Sequence, residues 1–186
     1  GTLLLEFGTL AKLTGRDEFY DKAKRALAET WKRRSPIGLV GSAIDVESGQ
    51  WLDAESHISG GIDSYYEYLW KCWRLFGDRD CLAMWQSSIP AANHYLADEV
   101  DGALWYGYAD MHSGKRTHSY YGALDAFFPA LLALSGDISR AARLQDSSFR
   151  MWRLHGIEPE VLDYRAHRIV EPGYALRPEI VESTYY

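Results

Sequence analysis

The residues of this sequence best placed to do chemistry are carboxylates inside apolar runs, because a charge taken out of water without a partner is costly. Glu6 interrupts Leu3-Leu4-Leu5 and Phe7. Asp63 and Glu67 stand at i and i+4 in Gly61-Ile62-Asp63-Ser64-Tyr65-Tyr66-Glu67-Tyr68, on one face of a helix. Glu179 and Glu182 stand at i and i+3 in Leu176-Arg177-Pro178-Glu179-Ile180-Val181-Glu182-Ser183. Carboxylates that converge are the material of general acid and base catalysis. Plainer roles exist for each: Asp63 and Glu179 as ordinary first-turn acids, Glu6 in a buried salt bridge, and Glu67 and Glu182 as partners of Arg177 or another inner arginine.

The elements that must position them recur. Thr14-Gly15-Arg16-Asp17, Phe76-Gly77-Asp78 and Ser135-Gly136-Asp137 lie roughly sixty residues apart, each between two helical patterns. Gly is suited to close one helix and Asp to open the next, which makes a tight αα-hairpin. The first helix of each pair is apolar, over 3–13, 62–76 and 124–134. The second is amphipathic, over 18–33, 79–96 and 138–154. An apolar helix belongs inside and an amphipathic one outside.

Two returns between pairs read as β-hairpins, with turns at Glu47-Ser48-Gly49 and His112-Ser113-Gly114. The expected fold is mainly α, an α/α toroid left partial by three helix pairs and the start of a fourth. Asp63 and Glu179 open inner helices and Glu6 lies within two turns of the start of the first, so one rim should gather all three. Helix N-termini favour ionised carboxylates there by roughly 0.3 to 1 kcal/mol each. Gly1 is not an initiator Met, and 179–186 reads as a helix without a Gly or Asn cap, so the expected chain is one domain truncated at both ends.

Composition narrows the classes. The 186 residues are 47% hydrophobic, enough for a core and too apolar for disorder. With 20 basic against 26 acidic residues the net charge is −6, which argues against nucleic acid. Lys32-Arg33-Arg34 reads as cations at a helix end. No apolar run is long enough to span a bilayer, and no signal-peptide layout is present. There is no GxSxG, Walker A or GxGxxG motif. His112 and His118 read as surface residues rather than ligands. Cys72 and Cys81 fit no CxxC or zinc spacing and read as buried small hydrophobes. The pairs Tyr65-Tyr66, Trp105-Tyr106 and Tyr120-Tyr121 fall near the expected rim; most such aromatics are core, and some stack on sugars.

On these residues the sequence resembles the α-1,2-mannosidases of glycoside hydrolase family 47, and most closely their ER degradation-enhancing mannosidase-like branch. The matching stretches are Gly1-Thr2-Leu3-Leu4-Leu5-Glu6-Phe7 with Leu13-Thr14-Gly15; Gly60-Gly61-Ile62-Asp63-Ser64-Tyr65-Tyr66-Glu67-Tyr68-Leu69; Ala126-Phe127-Phe128-Pro129; Gly136-Asp137-Ile138; and Leu176-Arg177-Pro178-Glu179 with Val181-Glu182-Ser183-Thr184-Tyr185. The resemblance implies an (α/α)7 barrel that hydrolyses terminal α-1,2-linked mannose of high-mannose N-glycans with inversion, in the secretory pathway and the endoplasmic reticulum lumen. It matches Glu6 to the general acid, Glu179 to the favoured general base and Asp63 to a third essential carboxylate that is sometimes proposed as the base. Glu67, Arg177 and Glu182 match sugar-binding or carboxylate-orienting positions. It implies Ca2+ in the complete barrel, held largely by a Thr-Glu pair that this chain lacks, so no metal ligand is assigned within it. It also places an Asp where this chain has Gly122, with Asp125 nearby.

Three readings compete: an inverting mannosidase whose 186 residues alone are inactive, a module that binds high-mannose glycans of misfolded glycoproteins without cleaving them, and a bare helical scaffold. An acid and a base together favour the enzyme, since a lectin needs neither. Glu6, among Leu4, Leu5 and Phe7, is expected to be the most desolvated of the three carboxyls. Glu179, after Arg177 at a helix start, is expected to stay ionised.

Overall fold

The computed structural model of the chain describes residues 2–186. The elements in order are α1 (Leu4–Thr14), α2 (Glu18–Lys32), β1 (Ala43–Ile44), β2 (Trp51–Asp53), β3 (Glu55–Ser56), α3 (Asp63–Phe76), α4 (Arg79–Tyr95), β4 (Ala97–Val100), β5 (Ala103–Tyr106), β6 (Tyr108–Asp110), β7 (Arg116–His118) and β8 (Tyr120–Gly122). A 3-10 turn (Leu124–Phe127), α5 (Phe128–Ser135), α6 (Ile138–His155), β9 (Val161–Asp163), β10 (Arg168–Glu171) and α7 (Glu179–Tyr185) complete it. Helices α1, α3, α5 and α7 form an inner layer in which each touches the next, and α2, α4 and α6 back them. The result is an arc of an α/α barrel. Among the described residues no helix is long and apolar enough to cross a membrane.

The layers follow from the apolar pattern. Helix α5 buries Phe128, Pro129, Ala130, Leu131 and Leu132 in succession, because neighbours cover it on every side. The third inner helix begins later than the sequence suggests. Residues Leu124–Phe127 wind as a 3-10 turn, and Pro129, which has no N–H to give, falls in the first turn of α5. Tyr65, Tyr66, Trp105, Tyr106 and Tyr121 are buried, so these aromatics build the core rather than a sugar platform.

Gly15, Gly77 and Gly136 end their helices in left-handed geometry, at φ 70°, 68° and 99°. Asp78 accepts from the backbone N–H groups of Asp80 and Cys81, and Asp137 from that of Arg140. Asp17 departs from the expected pattern: it is helical and makes no side-chain cap. Asp78 also accepts from the Tyr20 hydroxyl and the Lys24 ammonium, which ties α2 to the second turn.

The hairpin turns share one device. Asp45 accepts from the N–H groups of Glu47 and Ser48, Asp110 from those of His112 and Ser113, and Asp163 from those of Arg165 and Ala166. The strands pair as β1-β2, β3-β6-β7, β4-β5 and β10-β9-β8. Hairpin β4-β5 was not expected, although Asp101-Gly102 between apolar residues is its signature: both have positive φ, 50° and 74°.

The cysteines correct the sequence reading. Both are fully buried, as expected, but Cys72 of α3 and Cys81 of α4 form a disulfide. The chain reverses at Gly77-Asp78, so residues nine apart face each other across antiparallel helices, with Cα atoms 6.0 Å apart. Closing a loop of this length should stabilise the fold by about 2.5 to 3 kcal/mol. Urea unfolding with and without dithiothreitol should show that loss, and equal unfolding free energies would refute it.

Candidate active site

Asp63 and Glu179 open α3 and α7, and Glu6 lies in the first turn of α1. Asp63 and Glu179 are half-buried, and they stand close enough for the Asp63 charge to bear on Glu179. Burial pushes both carboxyls up. In Glu179 its own backbone N–H and the Arg177 charge pull the other way, and they lose.

Two expectations change here. Glu6 is exposed rather than desolvated, and its Oε1 accepts the hydroxyl hydrogen of Tyr68 from α3. Its neighbours Leu5 and Phe7 point elsewhere on the α1 surface and pack against the core. Arg177 is not an ion-pair partner of Glu67 or Glu182. It forks onto Glu160, with Nε and Nη2 at 2.9 and 2.8 Å from Oε2. Glu160 also accepts from the Ala175 N–H at 3.0 Å, and Arg177 holds its carboxyl below the usual range.

One helical turn further along, Lys71 links α3 to α7. Its ammonium bonds Glu67 and lies 3.8 Å from Glu182. The site therefore has two tiers: Asp63 with Glu179, and below them Glu67, Lys71 and Glu182.

The upper tier holds two acids that were not singled out for a role. Gly122 has no room for a side chain, because a Cβ there would stand 2.0 Å from the carbonyl oxygen of Glu160 across the β8-β9 pairing. The carboxyl is carried by Asp125, whose Oδ2 accepts the Gly122 N–H at 2.9 Å. Asp125 is 1% exposed, its Oδ1 has no partner, and burial raises it to about 7. Glu158 is fully buried with neither oxygen bonded, and burial together with Glu179 and Glu160 raises it to about 8. In the sequence Asp125 is marked as the acid near Gly122, whereas Glu158 shows only as one of two acids flanking Pro159.

Among the described residues no three carboxylates stand within ligand-sharing distance of one another. Among the described residues the one trio of His, Cys, Asp or Glu side chains within ligand-sharing distance is Cys72, Asp78 and Cys81, and its sulfurs are bonded to each other. Such a set does not suit a cation that takes six or more oxygens.

The profile of glycosyl hydrolase family 47 matches residues 1–186. Alpha-mannosidase I MNS5 of Arabidopsis thaliana is 41% identical over 191 residues, covering all of this chain and 32% of its own length. ER degradation-enhancing alpha-mannosidase-like protein 2 of Homo sapiens is 38% identical over 188 residues, with the same coverage of each chain. This chain thus spans about a third of the length of those curated relatives. An alpha-1,2-mannosidase from Trichoderma reesei shares the fold with a TM-score of 0.86 at 23% identity, covering all of this chain and 46% of that one.

Asp125 gives a test. A carboxyl raised in the folded state binds its proton more tightly there than when unfolded, so its stabilisation is complete at low pH and is lost as pH rises from about 4 to about 7. Asp125→Asn keeps an acceptor for Gly122 without the proton. Its unfolding free energy should fall less over that interval than that of the parent chain in urea titrations. Parallel curves would mean that Asp125 is ionised throughout.

Proposed function

The chain belongs to glycosyl hydrolase family 47, and from that premise we propose that it forms part of the (α/α)7 catalytic barrel of an inverting mannosidase. The substrate is terminal α-1,2-linked mannose of high-mannose N-glycans on glycoproteins. The observation that carries this reading is the pairing of Asp63 with Glu179. Residues 116 positions apart in the sequence come together as two half-buried acids, each pushed up by desolvation. A raised carboxylate is a stronger base, able to take a proton from water at neutral pH.

In the proposed reaction Glu6 gives a proton to the glycosidic oxygen. Glu179 takes one from a water that attacks the anomeric carbon from the other face, and the product is inverted. Asp63 holds that water and adds to the basicity of Glu179. Glu6 meets the sugar from an exposed position, so the bound glycan itself provides its desolvation. Arg177, held on Glu160, and Glu67 with Glu182, held by Lys71, shape the sugar contacts. Calcium belongs to the proposed complete barrel. The buried Cys72–Cys81 disulfide supports an oxidising compartment, hence the secretory pathway, with the endoplasmic reticulum lumen as the proposed site.

The test is release of mannose from an α-1,2-linked disaccharide by the full-length protein. Glu179→Gln should lower kcat by about 10² to 10⁴-fold, both on this substrate and on an aryl mannoside whose leaving group needs no proton. Glu6→Gln should do so on the disaccharide alone. Glycan binding without release by the parent protein would favour the non-catalytic module, and the opposite substrate pattern would exchange the two roles. The 186 residues by themselves should release little or no mannose, and turnover by them would show that the rest of the ring is dispensable.

A further inference from the structure

Glu6 is the exposed one of the three carboxyls, and a long side chain in water does not hold one orientation unless a partner fixes it. One side chain does so here. Tyr68, in the second turn of α3, donates its hydroxyl hydrogen to Glu6 Oε1 at 2.5 Å, across 62 positions of sequence. Among the described residues no second group bonds that carboxyl. The contact leaves Oε2 as the oxygen free to carry a proton.

Tyr68 is itself well fixed. Its ring is half-buried and packs against the core, and α1 and α3 are neighbours in the inner layer. Burial, then the hydrogen bond to Glu6 and the charges of Glu6 and Glu67, hold the phenol above its usual range. It therefore keeps its proton and remains a donor at neutral pH.

We propose that Tyr68 is a positioning residue for Glu6: it fixes the carboxyl through Oε1 and stabilises the carboxylate left when Oε2 gives its proton away. The proposal rests on Glu6 being the general acid. In that step the proton passes from Oε2 to the glycosidic oxygen, which also takes the electron pair of the breaking C–O bond, and the O–H pair stays on Glu6 as its charge. The attacking water gives its proton to Glu179, and Tyr68 keeps its own throughout. A hydrogen bond to an ionised acceptor is roughly twice as strong as one to a neutral acceptor, so the contact tightens as the leaving group departs. Its effect is greatest where that departure needs the proton most.

Tyr68→Phe in the full-length protein tests this, because it keeps the ring in the core and removes the hydroxyl alone. The substrates are the α-1,2-linked disaccharide and aryl α-mannosides with leaving groups of graded acidity. Rates are compared between substrates within each preparation, so the folded fraction cancels. In the parent protein kcat should change little along the series, and in Glu6→Gln it should fall steeply as the leaving group becomes more basic. Tyr68→Phe should lie between them. Its kcat should stay within about threefold of the parent on the most activated aryl mannoside and be about 10- to 100-fold lower on the disaccharide, with KM moved by less than about threefold.

A parent-like slope in Tyr68→Phe beside a steep one in Glu6→Gln would overturn the proposal and leave Glu6 as the acid. So would an equal loss on every substrate, or a rise in KM alone, since either marks a hydroxyl that only ties α1 to α3. A flat slope in Glu6→Gln would instead overturn the acid assignment, and this inference with it.

Discussion

The upper tier of the site depends on a mismatch between carboxyls and cations. Asp63, Asp125, Glu158, Glu160 and Glu179 gather near the start of α7 and the β8-β9 pairing, and among the described residues Arg177 is the cation that pairs with one of them. Its fork takes Glu160, the one of the five whose carboxyl is held low. The other four are all raised, in every case first by burial. A single well-made ion pair therefore fixes the 160 segment against the approach to α7 and leaves its neighbours uncompensated. Stability is given up locally and reactive groups are obtained, which is the pattern expected of a catalytic cleft.

The repeats make that gathering possible. Each αα turn returns the chain to the same end, so the openings of α1, α3 and α7 fall in one layer although long stretches of sequence separate them. The disulfide and the Asp78 node hold the second turn, while Lys71 joins α3 to α7 a turn below the acids.

Much of this was legible from pattern. Apolar and amphipathic helices alternate with the right period, and the Gly-Asp turns mark each reversal, so the layers could be read directly. What was not legible depended on contacts between distant segments. The Cys72–Cys81 bond needs the antiparallel fold of α3 on α4, which a ligand-spacing rule does not consider. Gly122 stands free of a side chain because the Glu160 carbonyl lies against it, and nothing near residue 122 in the sequence announces residue 160. Glu158 looked like one more acid beside a proline, and its burial comes from the sheet and from α7.

The roles expected of Glu6 and Glu179 show which force governs such a site. Sequence reasoning let apolar neighbours desolvate Glu6, but along a helix adjacent residues point in different directions, and Glu6 faces outward while Leu4 is fully buried. It also counted on the helix start and Arg177 to keep Glu179 ionised, and burial works against both. A helix terminus contributes about 0.3 to 1 kcal/mol, less than the roughly 1.4 kcal/mol that moves a pKa by one unit. Desolvation in this same depression lifts Asp125 from 3.8 to about 7, against the hydrogen bond it accepts from the Gly122 N–H. The larger effect decides: a carboxyl here is made basic by what it is buried among, and a favourable position at the head of a helix opposes that without reversing it.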